Sequence, residues 1–328
     1  MRRAIGVGWR MGDLLEVADL RKKFMLRESL FVRRELWAVS GVTFSVARGE
    51  TLGLVGESGC GKSTVGRCIV RLLDTTAGAI SFDGHRISRF SQRQFWPLRR
   101  RIQMVFQDPA DSLNPRMTVQ EMVMEPLRLH TRLARRDRED RVRELLELVG
   151  LKEEYMDRFP HQLSTGQQQR VGVARAVATQ PDFLVLDEPT SALDVSVRGR
   201  ILKLLSDLGA RFGMTYLFIS HDLSVIKHMC QRVAVMYLGM VVEVGPAAAI
   251  FREPLHPYTT ALIAAIPIPD PKQAKKRMIL SGEVPSPVNL PAGCFFRSRC
   301  PRAQAACAET RPGLRDVGGG HRVACLAV

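Results

Sequence analysis

The stretch Thr51-Leu-Gly-Leu-Val-Gly-Glu-Ser-Gly-Cys-Gly-Lys-Ser-Thr64 decides how the rest of the chain is read. Its first five residues form a short apolar run of the kind that makes a buried strand. From Gly56 onward it fits G-x-x-x-x-G-K-[ST], and the segment from Val65 to Leu73 continues at helical spacing. Strand, loop and helix in that order are the context the motif requires. Gly56, Gly59 and Gly61 let the backbone curl so that amides of the loop, among them those of Glu57, Ser58 and Cys60, can face a phosphate group. The helix behind adds the positive end of its dipole. Lys62 is placed to charge-pair with the β- and γ-phosphates, and Ser63, next to Thr64, to offer its hydroxyl to Mg²⁺. The competing reading is a glycine-rich turn that matches by chance, and the flanking strand and helix argue against it.

Working outward, similar β-branched runs recur at 102–106, 183–187, 216–219 and 233–237. Helical spacing separates them, as in Val142, Leu145, Leu146 and Val149, and again in Val197, Ile201, Leu204, Leu205 and Leu208. Alternating strands and helices predict an α/β fold, here a P-loop NTPase core with a mainly parallel sheet. Residues from about 108 to 178 contain no convincing strand and read as a helical insertion or subdomain. Composition changes near Pro246: the remaining 83 residues hold eleven of the 18 prolines and four of the seven cysteines. The predicted division is therefore a nucleotide-binding domain over 1–245 and a loop-rich extension over 246–328.

Other strand ends supply candidate chemistry. Phe183-Leu-Val-Leu-Asp187-Glu188 is an apolar strand closing on two carboxylates. Asp187 suits a Mg²⁺ ligand, directly or through water, and Glu188 a general base for water attacking a γ-phosphate. Alone, such a pair would read as the opening of a surface turn. His221 follows the strand at 216–219 and is placed to reach a phosphate oxygen; Gln107 follows the strand at 102–106 and is placed to order the attacking water or the metal. Either residue, taken singly, is more often structural.

The formal charge is +15, from 48 Lys and Arg against 33 Asp and Glu, and it is regional. Residues 1–34 carry +5, 86–143 carry +7 and 246–328 carry +6, leaving the remainder at −3. Solvated surface is one reading and contact with phosphate, in nucleic acid or lipid headgroups, the other. The longest charge-free stretch, Pro254 to Pro269, is interrupted by proline and falls short of the roughly 20 apolar residues of a membrane span. Met1-Arg-Arg is followed by no apolar run of signal length, which predicts a cytosolic face with reduced or metal-bound cysteines.

With those residues in place, the sequence resembles the nucleotide-binding subunits of ATP-binding cassette transporters. Leu163-Ser-Thr-Gly-Gln-Gln-Gln-Arg170 is similar to that family's Leu-Ser-Gly-Gly-Gln signature, and the order runs phosphate loop, Gln107, signature, Asp187-Glu188, Ser191-Ala-Leu-Asp194, His221. The resemblance implies an ATPase in which two cassettes dimerise head to tail. Lys62, Ser63, Gln107, Asp187, Glu188 and His221 would serve the subunit's own nucleotide. Ser164, Gly166 and Gln167 would serve the partner's, with Asp194 connecting the two. It also implies an aromatic stacked on adenine upstream of the loop: Phe24 matches best, Trp37 is the alternative, and a plain core aromatic remains open. Thr165 departs from the signature's first glycine; either it is tolerated, or a side chain there slows hydrolysis of the partner's ATP.

The extension narrows the resemblance. The segment from Pro254 through Asp270, Gly282-Glu-Val-Pro-Ser-Pro287, Gly293-Cys-Phe-Phe-Arg-Ser-Arg-Cys-Pro301 and Gly320-His-Arg-Val-Ala-Cys325 look like the ATPase subunits of bacterial dipeptide/oligopeptide importers, with nickel importers close by. Cys294, Cys300, Cys307 and Cys325 follow C-x5-C-x6-C-x17-C. By spacing alone they leave zinc, an iron–sulfur cluster or free thiols open; the resemblance implies a 4Fe–4S cluster, structural or redox-sensing, with Zn²⁺ as the alternative. It further implies a second ATPase subunit (a heterodimer), two membrane permease subunits docked at the helical insertion, an extracytoplasmic peptide-binding protein, and a peripheral place on the cytoplasmic side of the inner membrane. A cassette acting on nucleic acid or the ribosome is disfavoured: one phosphate loop is present, and 102 positions, without long heptads, separate Lys62 from Ser164. A regulatory module without turnover is opposed by intact Lys62, Asp187 and Glu188.

Overall fold

The computed structural model describes residues 12–27, 33–266 and 282–328. The basic Met1–Met11 segment and the stretch Pro267–Asp270 of the importer-like tail lie outside the described residues. In chain order, strands β1 (Asp13–Arg27), β2 (Arg33–Ala47) and β3 (Thr51–Val55) precede helix α1 (Lys62–Ile69), β4 (Ala77–Phe82) and β5 (His85–Arg86). Then come α2 (Gln92–Phe95), β6 (Ile102–Val105), α3 (Pro109–Ser112), α4 (Val119–His130), α5 (Arg135–Leu148) and α6 (Thr165–Val177). These are followed by β7 (Phe183–Asp187), α7 (Val195–Phe212), β8 (Thr215–Ile219) and α8 (Leu223–Met229). The chain finishes with β9 (Arg232–Tyr237), β10 (Met240–Pro246), α9 (Ala247–Arg252), α10 (Pro257–Ala264), β11 (Arg315–Asp316) and β12 (Arg322–Val323).

Two compact units emerge, one made of residues 1–89 and 221–328, the other of residues 90–220. In the first, β2, β1, β4 and β5 form an antiparallel sheet in that order, β1 pairing with both β2 and β4. A second layer is ordered β11-β12-β10-β9-β3, with β3 and β9 parallel and the rest antiparallel. All five residues of β3 are buried, as the apolar run at 51–55 predicts for a strand covered on both faces. The extension joins this unit rather than standing apart. Its β12 pairs with β10 through Glu243↔Val323 and Val244↔Arg322, and Phe296, 1% exposed, packs edge-on to Tyr237 and Tyr258.

In the second unit, β6, β7 and β8 are parallel neighbours with unbroken register, from Ile102↔Phe183 and Phe183↔Thr215 onward. Between β6 and β7 the described chain carries α3, α4, α5 and α6 and no strand. Of these, α3, α4 and α6 start on local side-chain caps. Thr118 accepts from the Glu121 amide while Glu121 reaches back to the Thr118 amide, and Ser164 with Gln167 repeats the arrangement at α6.

The five strands expected from apolar runs are all present, within one or two residues at their ends. The antiparallel sheet adds what was not anticipated, namely the long β1–β2 hairpin. Among the described residues, no helix is long and apolar enough to cross a membrane.

Candidate functional site

The phosphate loop hangs between β3 and α1. At Gly61, φ is +103°, and an added Cβ would lie 2.1 Å from the Ala38 carbonyl oxygen, so a side chain is excluded by both conformation and space. Gly61 is also the residue capping α1, and no side chain occupies the cap. The amide end of the helix is left to a ligand, as an anion site requires. Lys62 is 4% exposed. Its ammonium donates to the Gly56 carbonyl at 2.8 Å and the Glu57 carbonyl at 3.0 Å. The Cys60 sulfur lies 3.8 Å away. Burial raises the Cys60 thiol above its ordinary value despite the lysine charge beside it. Cys60 is therefore a neutral packing residue here.

Two residues of the extension reach this loop, and neither was anticipated. The Glu57 amide donates to the Tyr258 hydroxyl at 2.9 Å. The Glu57 carboxylate accepts from both terminal nitrogens of Arg299 at 3.1–3.2 Å. Both partners are more than 200 positions away in sequence, a separation that no local pattern reveals.

Phe24 and Trp37 both belong to the β1–β2 hairpin. Phe24 pairs with Leu36 and Trp37 with Lys23, so by strand alternation the two aromatics face opposite sides. Each carries a lysine ammonium: Lys22 Nζ is 5.1 Å from the Phe24 ring centre and Lys23 Nζ 5.6 Å from that of Trp37. Both rings are half-buried.

The second unit contributes its own cluster. Asp187 ends β7 and is 1% exposed. Glu188 turns out of the strand with φ +46°, its amide donating to the Ile219 carbonyl and its carbonyl accepting from the Ser191 amide and hydroxyl. Gln107 Nε2 approaches the Glu188 carboxylate at 3.4 Å. The structure thus joins two of the residues singled out by sequence. A non-glycine residue held in the left-handed region at a strand end is a form of local strain that accumulates at functional sites.

The signature residues lie at the start of α6. Ser164 caps the helix, and the Gln167 side chain accepts from the Ser164 amide at 2.9 Å. Thr165 opens the helix with no left-handed conformation, so glycine's freedom is not needed at that position. Gly166 differs: an added Cβ would meet Val197 Cγ1 of α7 at 2.7 Å. Asp194 sets the start of α7, accepting from the Val197 and Arg198 amides through its carbonyl. His221 is exposed just before α8.

The four tail cysteines come from separate loops. The Cys294 amide donates to the Cys307 carbonyl at 2.9 Å, and Cys307 and Cys325 are buried while Cys294 and Cys300 are half-exposed. Burial raises the Cys294 and Cys300 thiols, and the nearby thiols raise them further. The expectation of a metal centre needs correcting in one respect. Among the described residues, no group of three or more His, Cys, Asp or Glu side chains is arranged to hold a metal.

Comparisons with known proteins agree with these pieces. Residues 39–191 match the family described as ABC transporter, and residues 242–307 match the oligopeptide/dipeptide transporter C-terminal region. The chain is 49% identical over 315 residues to the putative oligopeptide transport ATP-binding protein YkfD of Bacillus subtilis, covering 95% of this chain and 94% of that one. It is 47% identical to the oligopeptide transport ATP-binding protein OppF of Salmonella typhimurium, over 96% of both. Among solved structures, the dimeric post-hydrolysis cassette MJ0796 bound to ADP and Pi is similar at TM-score 0.65 and 30% identity, covering 71% of this chain and 98% of that one. With a phosphate loop, a strand ending in paired carboxylates and a capped signature helix all present, the chain belongs to the ATP-binding subunits of ABC transporters.

Proposed function

We propose that this chain hydrolyses ATP to power import of dipeptides or oligopeptides through membrane permease subunits. The observation that carries the reading is one chain holding both the cassette motifs and, over 242–307, the oligopeptide/dipeptide transporter C-terminal region. The relatives' names point to the same cargo class. Functionally, the cassette spans 1–245, with its helical subdomain at about 108–178, and the extension spans 246–328.

Each residue takes one part of the ATP reaction. Amides of the loop beyond Glu57, whose own amide is bonded to Tyr258, and the Lys62 ammonium hold the phosphates, with Lys62 leaving its two loop carbonyls to do so. Ser63, Gln107 and Asp187 are the residues that would hold Mg²⁺, which would supply positive charge to the β- and γ-phosphates. Glu188 accepts the proton of the attacking water, and Gln107, already beside its carboxylate, orders that water. His221 holds the γ-phosphate. Phe24, or Trp37 on the opposite face of the hairpin, stacks on adenine. Ser164, Gly166 and Gln167 serve the nucleotide of a second cassette, and Asp194 links the two. Permeases dock on the helical subdomain, a binding protein delivers cargo, and the assembly sits on the cytoplasmic face of the membrane.

For the tail, four thiolates are a donor set for a 4Fe–4S cluster and for Zn²⁺ alike, and the resemblance to importer ATPases favours the cluster. The side chains would have to close around it. Anaerobic purification with iron analysis tests this, and an iron-free, zinc-bearing tail refutes it. The transport reading is tested by deleting the gene and measuring uptake of labelled dipeptides, oligopeptides and Ni²⁺. Loss of peptide uptake, restored by wild type but not by Glu188→Gln, supports it. Loss of Ni²⁺ uptake alone overturns the cargo.

A further inference from the structure

The extension places a buried cation against the nucleotide loop. Arg299 lies in a short turn between Phe296, 1% exposed, and Cys300. Its side chain is 9% exposed, and its guanidinium grips both carboxylate oxygens of Glu57 at 3.1–3.2 Å. Beneath it lies the Tyr237 ring, 5.9 Å from the guanidinium carbon. Glu57 is the second residue of the phosphate loop, and its own carbonyl receives the Lys62 ammonium at 3.0 Å. A carboxylate at that place is an electrostatic problem. A triphosphate seated on the loop brings several negative charges near it, and Lys62 would be drawn toward both. A bidentate arginine removes the conflict by neutralising the carboxylate and fixing its direction.

We propose that Arg299 is a positioning residue for nucleotide binding: from the C-terminal extension, it neutralises and holds Glu57, so that the phosphate loop accepts ATP at full affinity. Two further contacts bear on the same residue. The Tyr258 hydroxyl accepts from the Glu57 amide, fixing the peptide whose side chain Arg299 holds. Arg299 Nε is buried without a hydrogen-bond partner, and the terminal nitrogens hold Glu57 while the guanidinium also interacts with Tyr237. The extension is thereby part of the ATP site. The inference depends on the chain binding ATP at this loop and is indifferent to which cargo is carried.

The test measures the dissociation constant of a fluorescent ATP analogue on the full chain, with circular dichroism to check folding. Arg299→Met keeps the side chain's bulk and removes its charge, and is expected to weaken ATP binding about tenfold, the scale of one unneutralised charge at partly screened distance. In a Glu57→Gln background the same Arg299→Met change is expected to have little effect, because the repulsion is already gone. Glu57→Gln alone is expected to bind ATP at least as well as wild type. Unchanged affinity in Arg299→Met overturns the proposal. A double variant as weak as Arg299→Met alone also overturns it, since that pattern marks a packing role. Should Arg299→Met not fold, Arg299→Gln decides in its place: weakened ATP binding by the folded variant, relieved in the Glu57→Gln background, supports the proposal, and unchanged binding refutes it.

Discussion

At the residue scale, Gly166 and Thr165 show how neighbouring signature positions obey different constraints. Thr165 begins α6 in ordinary helical conformation, so Thr165→Gly is expected to leave the ATPase rate of the assembled transporter within about twofold while lowering helix stability by a few tenths of a kcal/mol up to ~1. A severalfold faster rate would show that the threonine restrains turnover. Gly166 has no room, with Val197 Cγ1 2.7 Å from where a Cβ would sit. Gly166→Ala should cost about 1–3 kcal/mol in chemical denaturation, and adding Val197→Ala should recover much of the loss. Glu188 gives the third prediction. Glu188→Gln should bind ATP with near-wild-type affinity and lose turnover by about 10²-fold or more in single-turnover assays. Unimpaired hydrolysis would remove it from the base role.

At the scale of elements, Glu243 ties the extension to the cassette. It is fully buried in β10 and accepts from the Leu255 amide at 2.8 Å, the His256 amide at 3.0 Å and the His321 ring at 2.7 Å. Glu243→Ala would leave those donors buried and unmet, and should destabilise the protein by about 3 kcal/mol in denaturant titration. His256 caps α10, its ring nitrogen accepting from the Tyr258 amide, and burial lowers its pKa from 6.5 to about 4. An unfolded chain binds this proton at higher pH than the native one does. The native state therefore loses stability as pH falls from about 6.5 toward 4. Asn at 256 can still cap the helix, so His256→Asn should flatten that part of the stability–pH curve; an unchanged slope would assign it to other groups. The strands at β3 and β7 were legible because burial on both faces favours a short, nearly continuous apolar run, Leu52 to Val55 in one and Phe183 to Leu186 in the other. The β1–β2 hairpin was not, because Arg21, Lys22 and Lys23 interrupt it and register shifts at Val17/Leu20 and Leu20/Arg21 break its alternation. Likewise, the phosphate loop, the carboxylate pair and the signature were legible as local motifs, whereas Arg299 against Glu57 exists only once residues 242 positions apart are folded together.

At the scale of the whole molecule, the +15 charge takes on a place as well as a sign. The basic block at 86–143 takes in α3, α4 and most of α5, part of the subdomain proposed to dock permeases, and would there set positive charge against anionic headgroups. Raised salt is expected to release the subunit from permease-containing membranes, measured by sedimentation; tight RNA binding at physiological salt would favour nucleic acid instead. One further consequence follows from how the chain is divided. Residues 90–220 are contiguous, but the other unit is assembled from both ends of the chain. Its parallel β3–β9 pair joins Leu52 to Arg232, and the Thr51 amide bonds the Gln231 side chain across 180 positions. A ribosome must therefore release the middle of the protein before β3 can find its partner. Residues 90–220 emerge complete before β9 does, so that unit is free to fold while β3 still lacks this partner.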